Sequence, residues 1–493
     1  MNRIFLNDPK KPKPFSFVLI VILLVVLLAG QIFLISRLFH KRMDELKVED
    51  VEETTAQLSI SATEPPPRQA LSVKQESMQE ILNEQFGELP RVQAKSTEYK
   101  SLSPVKGIYL GRAKNLDEAL ALASWSEVNA FVIDVKESWG LTYDSQVPLA
   151  QEIGASTGEL DLEAIIERCH AAGVRVIARI VCFKDELMPQ KRPDLCLIDT
   201  DGQLLTFPLE GNQSFANPYD TRYWAYLVDI ATEVVNMGVD EIQFDYVRFP
   251  TGAPDSDKPP IYKKVEETIP KEYAINRFLE FARIKIQEEL GVPVTADLFS
   301  IVMTSEVDGK LIGQNWSTIG LTAIDAICPM IYPSHYANSS LGSQGNGVGS
   351  YIGHNFFDKP DLEPYEVVQN AMIDGEKASF QKGYAKLRPW LQAFTANWLV
   401  PGYYMEYGPW EIRQQIQALY DAGYSEWILW NAEYSYPEDC FLTQAEGQLQ
   451  EEQQAQESIV RASERASEAE AEAAATEESR RFPIATAPPK TEP

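Results

Sequence analysis

The sequence predicts an α/β protein of the TIM (β/α)8-barrel class, preceded by one transmembrane helix and a stalk and followed by a low-complexity tail. Three observations indicate the barrel. Eight short runs rich in aliphatic, β-branched and aromatic residues have the length of strands. Most of them are separated by segments with helical periodicity, and several of these segments end in a glycine just before the next strand. Eight such β–α units are typical of a TIM barrel.

The predicted barrel spans residues 105–444, and its elements alternate in chain order. The predicted strands are KGIYLG from Lys106, AFVIDVKES from Ala130, VRVIARIVCF from Val174, VDEIQFDYVRF from Val239, PVTADLFS from Pro293, AICPMIYP from Ala326, LRPWLQAF from Leu387 and SEWILWNAE from Ser425. The predicted helices span residues 162–172, 223–237, 273–290, 365–382 and 410–422, and the glycines that end four of them are Gly173, Gly238, Gly291 and Gly423.

An apolar segment near the N-terminus predicts a membrane anchor. The run FSFVLIVILLVVLLAGQIFLI holds 21 residues without a charge, enough at ~1.5 Å per residue to cross a bilayer core of ~30 Å. Bulky residues rather than a small-residue cleavage site follow it, so we expect an uncleaved helix over residues 15–36. Four basic residues precede this span and three follow it closely, which favours a cytoplasmic segment over residues 1–14 and a barrel outside the cell membrane.

Polar segments flank the predicted barrel. Residues 37–104 are rich in Glu, Gln, Ser and Thr and contain a run of three prolines, which indicates a solvated stalk with room for a short helix around residues 73–86. Residues 445–493 form an acidic tail rich in Glu, Ala, Gln and Ser. We expect this tail to be disordered, because it has little apolar surface to bury.

Composition limits the chemistry. A formal net charge of -28 argues against nucleic acid or anionic lipid as a ligand. The five cysteines are odd in number and lack CxxC spacing, so neither a disulfide framework nor a zinc ribbon is expected. Only four histidines are present, which disfavours a histidine-rich metal site, and we expect no metal and no cofactor. No oligomeric state is predicted.

The stretch DEIQFDYVRFP, residues 240–250, ends an apolar strand with an acid. A buried ionised carboxylate is costly unless it is paired or used, and functional groups of TIM barrels gather at the C-terminal ends of the strands. Alternation along the strand places Asp245 and Gln243 toward the barrel mouth, with Ile242, Phe244 and Tyr246 on the other face. Asp245 is therefore a candidate catalytic residue.

The same alternation gathers further polar residues at the mouth. The candidate catalytic residues are Asp245, Asp297 and Asp134, and the candidate substrate-binding residues are Lys136, Arg179, Arg248, Tyr332, His335, Trp398, Trp430 and Glu433. Two carboxyl groups at one rim suit cleavage of a glycosidic bond, and the aromatic residues suit stacking against sugar rings. Strand-end acids and arginines also form structural ion pairs, which is the alternative for Asp134 and Arg179.

Five motifs in order carry a resemblance to a known family. They are VKGIYLG, FVIDVKES, GVDEIQFDYVRFP, VTADLF and ICPMIYPSHY, and over about residues 105–436 they resemble the bacterial putative glycosyl hydrolase domain family. The resemblance implies a barrel akin to carbohydrate-active enzymes.

The mechanism of the better-known barrel glycosidases fits only in part. Val247 stands where the chitinase-like DxxDxDxE motif needs an acid, and LQAFTAN has no acid on strand seven. The nearest analogy is the amylase type, with Asp245 as nucleophile on strand four and Asp297, in place of a glutamate, as acid/base on strand five. Neighbouring strands lie ~4.8 Å apart, near the ~5 Å that retaining enzymes need. Asp134, two strands away, would suit an inverting pair or would raise a neighbouring pKa by repulsion.

Two functions remain open at this point. The first is a membrane-anchored, extracytoplasmic glycoside hydrolase that acts on a polysaccharide or oligosaccharide by a two-carboxylate mechanism. The second is a noncatalytic carbohydrate-binding or cell-envelope scaffold protein on the same fold. A phosphate-handling enzyme is disfavoured, because TANWLVPG and NAEYSYPE lack a glycine-rich turn.

A long loop follows the sixth predicted strand. Residues 334–362 are rich in Gly, Ser and Asn, and a loop of this length is typically either functional or an insertion. We expect a mobile lid or subsite wall, with an ordered insertion over the rim as the alternative.

The predicted topology can be tested on cells. Protease added to intact cells is expected to degrade the barrel, because the basic residues before the span favour a barrel outside the membrane. Immunoblotting of intact and lysed cells measures this. Survival of the barrel in intact cells and its loss after lysis would reverse the topology.

Overall fold

Eight parallel strands close into a barrel in the computed structural model, which describes residues 68–92, 104–379 and 381–457. The strands are β1 Lys106–Gly111, β2 Ala130–Glu137, β3 Arg175–Val181, β4 Glu241–Asp245, β5 Val294–Phe299, β6 Ala326–Ile331, β7 Trp390–Gln392 and β8 Trp427–Trp430. Each pairs with its neighbour in chain order, and β8 pairs back onto β1. The predicted (β/α)8 barrel is confirmed.

Helices cover the outside of the barrel and fill the loops. Among the described residues, the α-helices are Arg68–Phe86, Leu116–Ala123, Pro148–Ile153, Leu162–Ala171, Met188–Lys191, Thr221–Met237, Lys263–Glu266, Lys271–Arg283, Ile301–Thr304, Glu306–Ile312, Trp316–Ile319, Pro364–Ser379, Pro409–Asp421 and residues 444–457. The 3-10 turns are Pro193–Leu195, Pro208–Glu210, Gly320–Thr322, Pro333–His335, Pro360–Leu362 and Glu438–Cys440, and Ile284–Glu288 is a π-helical turn. The chain reverses after helix Thr221–Met237 at Gly238. Its φ is 110°, a backbone angle that residues other than glycine rarely adopt.

The two faces of the strands enter different parts of the core. On β4, Ile242 and Phe244 point outward and belong to the large cluster between sheet and helices, where Phe244 lies 5.3 Å from Phe278. Gln243 points inward and donates to the thiol of Cys328 at 3.4 Å. The predicted alternation therefore holds along β4 up to its last residue.

A buried ion-pair network closes the N-terminal end of the barrel. Arg388, fully buried, lies 2.5 Å from Glu241 and 2.7 Å from Glu426. Arg175 lies at the same end and donates to the carbonyl of Pro104 at 2.8 Å. Arg175 is therefore not at the mouth, although it lies on the same strand as Arg179.

Part of the predicted stalk packs on the barrel. Helix Arg68–Phe86 places Phe86 against Trp224 at 4.9 Å between ring centroids, and Leu82 is buried. Arg277 donates to the side chain of Asn83 and, at 3.0 Å, to the carbonyl of Gly87. This part of residues 37–104 is therefore a docked segment rather than a free linker.

The start of the predicted tail also packs on the barrel. Residues 444–457 are helical, and the buried ammonium of Lys106 donates to the carbonyl of Gly447 at 3.2 Å and pairs with Glu451 and Glu127, each at 3.1 Å. The disorder predicted for residues 445–493 is therefore wrong for residues 445–457, and residues 458–493 lie outside the described residues.

The predicted membrane anchor, residues 15–36, also lies outside the described residues. Within the described ranges, none of the helices has both the length and the apolar character that crossing a bilayer requires.

The long loop after β6 contains regular structure. A two-stranded antiparallel hairpin joins Ser350–Ile352 to Asn355–Phe357, between the 3-10 turns Pro333–His335 and Pro360–Leu362. The carbonyl of Ala337 accepts a hydrogen bond from Ser350 at 2.7 Å. These contacts correspond to the alternative of an ordered insertion.

The C-terminal helix provides a stability test. Deletion of residues 444–493 is expected to lower the thermal unfolding midpoint, because Lys106 loses its contacts with Gly447 and Glu451, and hydrogen bonds to charged groups contribute about 1.5–3 kcal/mol each. A chain ending at Glu457 keeps both contacts and is the matched control. Equal midpoints for the two shortened chains would contradict a stabilising role for this helix.

Candidate active site

A cavity of about 920 Å³ opens at the C-terminal ends of strands β3 to β8. Its wall combines acids, arginines and aromatic rings, as expected for the mouth of a TIM barrel. Of the residues predicted for the site, the cavity wall includes Asp245, Asp297, Arg179, Arg248, Tyr332, His335, Trp398, Trp430 and Glu433. Asp134 and Lys136 are not part of this wall.

Arg179 joins two strands at the mouth. Its guanidinium donates to Asp134 on β2 at 2.6 Å, and to one oxygen of Asp245 on β4 from Nη2 at 2.6 Å and from Nε at 3.0 Å. Burial lowers the pKa of Arg179, but the charges of Asp134 and Asp245 outweigh this effect and raise it well above its usual value. The guanidinium thus remains a fixed cation beneath the cavity.

The chain turns sharply directly after Asp245. Tyr246 has a φ of 50°, and its backbone N–H donates to the second oxygen of Asp245 at 2.5 Å. This turn brings the ring of Tyr246 into the cavity wall, 4.9 Å from the ammonium of Lys184 and 5.1 Å from the guanidinium of Arg248. The prediction that Tyr246 shares the outer face with Phe244 is wrong, because the strand ends one residue earlier.

Asp297 on β5 faces the same cavity in a different environment. One carboxyl oxygen accepts from the indole of Trp390 at 2.7 Å, and the other has no hydrogen-bond partner although it is buried. Burial, followed by the charge of Asp245, raises the pKa of Asp297 well above its usual value. Phe244 pairs with Ala296, so Asp245 and Asp297 follow at matching levels on neighbouring strands.

A bulge in β2 changes which side chain reaches the mouth. The pairing of β2 with β3 shifts register between Asp134 and Lys136. Lys136 consequently points away from the cavity and forms a buried ion pair with Asp185 at 3.0 Å. Glu137 instead approaches Arg179, with 3.7 Å between Oε1 and Nη1. Lys136 therefore does not reach the cavity wall, and its substrate-binding role stays a prediction that its placement does not support. Glu137 was missed because the alternation pattern contains no sign of a bulge.

Asp134 lies below the cavity rather than in its wall. The hydroxyl of Tyr109 donates to its Oδ2 at 2.5 Å, Arg179 donates to its Oδ1, and only 1% of the residue is exposed. Both oxygens of Asp134 are thus already held and the residue is not part of the cavity wall, so a catalytic role for Asp134 stays a prediction. Its contacts instead hold Arg179.

Arg248 lines the cavity but is already paired. It donates to both oxygens of Glu210, at 2.8 Å and 3.2 Å, and its guanidinium lies 4.7 Å from the ring of Phe299. Burial raises the pKa of Glu210, but the hydrogen bond and charge of Arg248 lower it to about 2. Arg248 therefore lines the cavity with its charge already paired to Glu210.

Aromatic rings form the opposite wall of the cavity. Phe394, which the sequence analysis did not single out, packs edge-to-face on Trp430 at 5.1 Å and stacks on Trp398 at 5.6 Å. Trp398 is 47% exposed and presents a ring surface to solvent. Tyr332 contacts Trp430 at 6.0 Å. The signal in the sequence that could have identified Phe394 is its position as the aromatic residue that ends the seventh predicted strand.

His335 and Glu433 complete the predicted set. His335 packs between Tyr332 and Phe394, and burial lowers its pKa to about 4, so it is uncharged at neutral pH. It belongs to the long loop after β6. Glu433 is exposed at the rim, where its backbone N–H donates to Asn431 at 2.8 Å.

Within the described ranges, no cluster of three or more His, Cys, Asp or Glu side chains has an arrangement that could hold a metal ion. The carboxyl groups of the mouth instead face one guanidinium, one indole and the backbone.

A (β/α)8 barrel with two carboxyl groups and an aromatic wall at the C-terminal ends of its strands has the architecture of a glycoside hydrolase-like domain. The chain belongs to the family described as "Putative glycosyl hydrolase domain", whose sequence model matches residues 105–436. The resemblance found in the five sequence motifs is thereby confirmed. No curated protein shows a significant match.

Several solved structures are similar to the chain. A hypothetical protein from Ruminiclostridium thermocellum is 32% identical, with 38% of this chain and 96% of that chain covered and a TM-score of 0.34. The glycoside hydrolase domain of PgaB (BpsB) from Bordetella bronchiseptica is 12% identical, with coverages of 68% and 95% and a TM-score of 0.47. The α-galactosidase TtGalA from Thermus thermophilus is 13% identical, with coverages of 73% and 62% and a TM-score of 0.39.

The reassignment of Lys136 can be tested by stability. Lys136→Met is expected to cost about 3–5 kcal/mol, because it leaves Asp185 buried without its cation. Chemical unfolding of the variant measures the loss, and the double variant Lys136→Met/Asp185→Asn is expected to recover part of it. An unchanged unfolding free energy together with weaker glycan binding would restore Lys136 to the binding site.

Proposed function

We propose that the protein is a glycoside hydrolase that cleaves a polysaccharide or oligosaccharide with retention of anomeric configuration. Asp245 is the nucleophile and Asp297 the general acid/base. The observation that carries the proposal is the contrast between two carboxyl groups in one cavity: Asp245 is held by Arg179, whereas Asp297 is driven toward its protonated form. A carboxylic acid with a raised pKa beside a second carboxyl group is typical of glycosidases.

The two acids would act in sequence. Protonated Asp297 donates its proton to the glycosidic oxygen while Asp245 attacks the anomeric carbon, which forms a covalent glycosyl-enzyme and releases the leaving group. Asp297, now ionised, takes a proton from water as that water attacks the anomeric carbon, which breaks the bond to Asp245 and releases its carboxylate and the sugar. The register of β4 and β5 supports this division, since adjacent strands lie ~4.8 Å apart and retaining enzymes need ~5 Å between carboxyl groups.

The environment of Asp297 suits an acid catalyst. Its unpartnered oxygen is buried against the cavity wall, where an unmet hydrogen-bonding group is costly. A glycosidic oxygen in the cavity would provide the missing acceptor. The Trp390 indole holds the other oxygen at 2.7 Å and so directs the carboxyl group.

The aromatic wall supports a carbohydrate as substrate. Trp398, with 47% of its surface exposed, offers a flat apolar face for a sugar ring, and Trp430 and Tyr332 line the cavity deeper in the barrel. Tyrosine and tryptophan combine such a face with a hydrogen-bond donor. Glu433 at the rim is placed to accept hydrogen bonds from sugar hydroxyls.

We also propose that the enzyme is anchored in the cell membrane by residues 15–36, with the barrel outside the cytoplasm. The support is the charge-free apolar run and the basic residues before it. Envelope or environmental polysaccharides are the substrates such a position would provide.

A noncatalytic carbohydrate-binding protein is the second candidate. One observation favours it: both oxygens of Asp245 already accept hydrogen bonds, one from Arg179 and one from the backbone of Tyr246. A carboxylate held in this way is a poorer nucleophile unless the substrate displaces a donor.

Hydrolysis by the full-length chain tests the mechanism. NMR of the first-formed product from a polysaccharide panel is expected to show the retained anomer, and Asp297→Asn is expected to lower the rate by about 10²–10⁴-fold through loss of acid catalysis. Asp245→Asn is expected to abolish turnover while glycan binding persists. Glu159→Gln, which alters an exposed pair with Arg112 at 3.0 Å, is the control.

Three outcomes would contradict the proposal. An inverted product would exclude Asp245 as nucleophile, and near-normal turnover in Asp245→Asn would do the same. Glycan binding by the wild-type chain without turnover of any panel member would favour the second candidate.

A further inference from the structure

The cluster around Arg179 holds more carboxyl groups than one guanidinium can neutralise. Asp134 and Asp245 each lie 2.6 Å from it, and Glu137 lies 3.7 Å away. Glu137 is the most accessible of the three, because its side chain is 24% exposed, against 1% for Asp134 and 6% for Asp245. Glu137 is therefore where a proton can most readily enter or leave the cluster.

Backbone geometry fixes Glu137 in this position. The bulge after Asp134 turns it toward Arg179, and the short antiparallel strand Gly140–Leu141 pairs with the end of β2, with Glu137 opposite Gly140. The hydroxyl of Thr142 also donates to the carbonyl of Asp134 at 2.7 Å. The position of Glu137 is thus set by paired backbone rather than by a free loop.

The surroundings of Glu137 favour its protonated form. The titratable and charged groups that face it are Asp134 on β2, Arg179 on β3, Asp245 on β4, Tyr109 on β1, Arg112 after β1 and Tyr434 after β8. Burial and then the charge of Asp134 raise the pKa of Glu137 to about 8, against the lowering effect of Arg179. At neutral pH Glu137 therefore holds a proton.

We propose that Glu137 is a positioning residue for Asp245, an inference that rests on the proposed hydrolase function. Protonated Glu137 leaves the Arg179 guanidinium to Asp134 and Asp245. When Glu137 releases its proton to solvent through its exposed face, it competes with Asp134 for Nη1 of that guanidinium and so draws the guanidinium away from Asp245. Glu137 touches no reacting atom in this scheme and acts only through Arg179.

The pH profile of hydrolysis tests this role. In the full-length wild-type chain, activity is expected to fall as the pH rises through about 8, the pKa of Glu137. In Glu137→Gln, which cannot ionise, no decline is expected at this pH. At one unit above the pKa only about a tenth of a group is protonated, so at pH 9 the variant should keep about tenfold more of its maximal activity.

Glu159→Gln is the matched control, because it removes an exposed carboxylate outside the cluster and is expected to keep the wild-type pH profile of hydrolysis. An alkaline decline at the same pH in wild type and Glu137→Gln would overturn the positioning role.

A second measurement does not depend on turnover. Because the pKa of Glu137 is raised in the folded chain from ~4.3 in the unfolded chain, wild-type stability relative to Glu137→Gln should be greatest below ~4.3 and should fall as the pH rises through about 8. Thermal unfolding midpoints of both chains across this range measure it. If the midpoints of the two chains changed with pH in parallel, the inference would be overturned. If they diverged as expected but the wild-type chain hydrolysed no glycan, the proposed function would be refuted, while the protonation of Glu137 would be established.

Discussion

The Arg179 guanidinium links strands β2 and β4 through Asp134 and Asp245, 2.6 Å from each, at a depth where the arginine side chain is 12% exposed. A buried ion pair of this kind contributes little net stability compared with apolar packing, but removal of one partner costs about 3–5 kcal/mol. The orientation of Asp245 therefore depends on three strands at once. Any change that moves β2, β3 or β4 relative to the others also moves the proposed nucleophile.

Most of the barrel could be predicted from the sequence because its strands are buried on both faces. Such strands appear as short apolar runs, and β1 was predicted with the bounds that the structure shows, Lys106–Gly111. The exceptions have local causes. β4 ends before the predicted run does, because Tyr246 adopts a positive φ. The predicted seventh strand is divided into Lys386–Leu387 and Trp390–Gln392, since Pro389 cannot donate a ladder hydrogen bond.

The site was predictable only where alternation continues to the end of a strand. The alternation of side chains placed Asp245, Asp297 and Arg179 at the mouth correctly. The strands that carry them keep regular pairing up to those residues or nearly so. It exchanged Lys136 for Glu137 because one extra residue in β2 reverses the direction of every side chain after it. Bulges depend on pairing between strands, and such pairing leaves no periodic signal in a single sequence.

The segments that precede and follow the barrel in the chain, and pack on it, affect where the domain begins and ends. The family match covers residues 105–436, whereas Phe86 covers Trp224 on one side of the barrel and residues 444–457 cover Lys106 at another. A recombinant fragment trimmed to the matched residues would expose an aromatic surface and would uncover the ammonium of Lys106. The packed domain thus extends beyond the residues that match the family, and expression boundaries for crystallisation should lie before residue 68 and after residue 457.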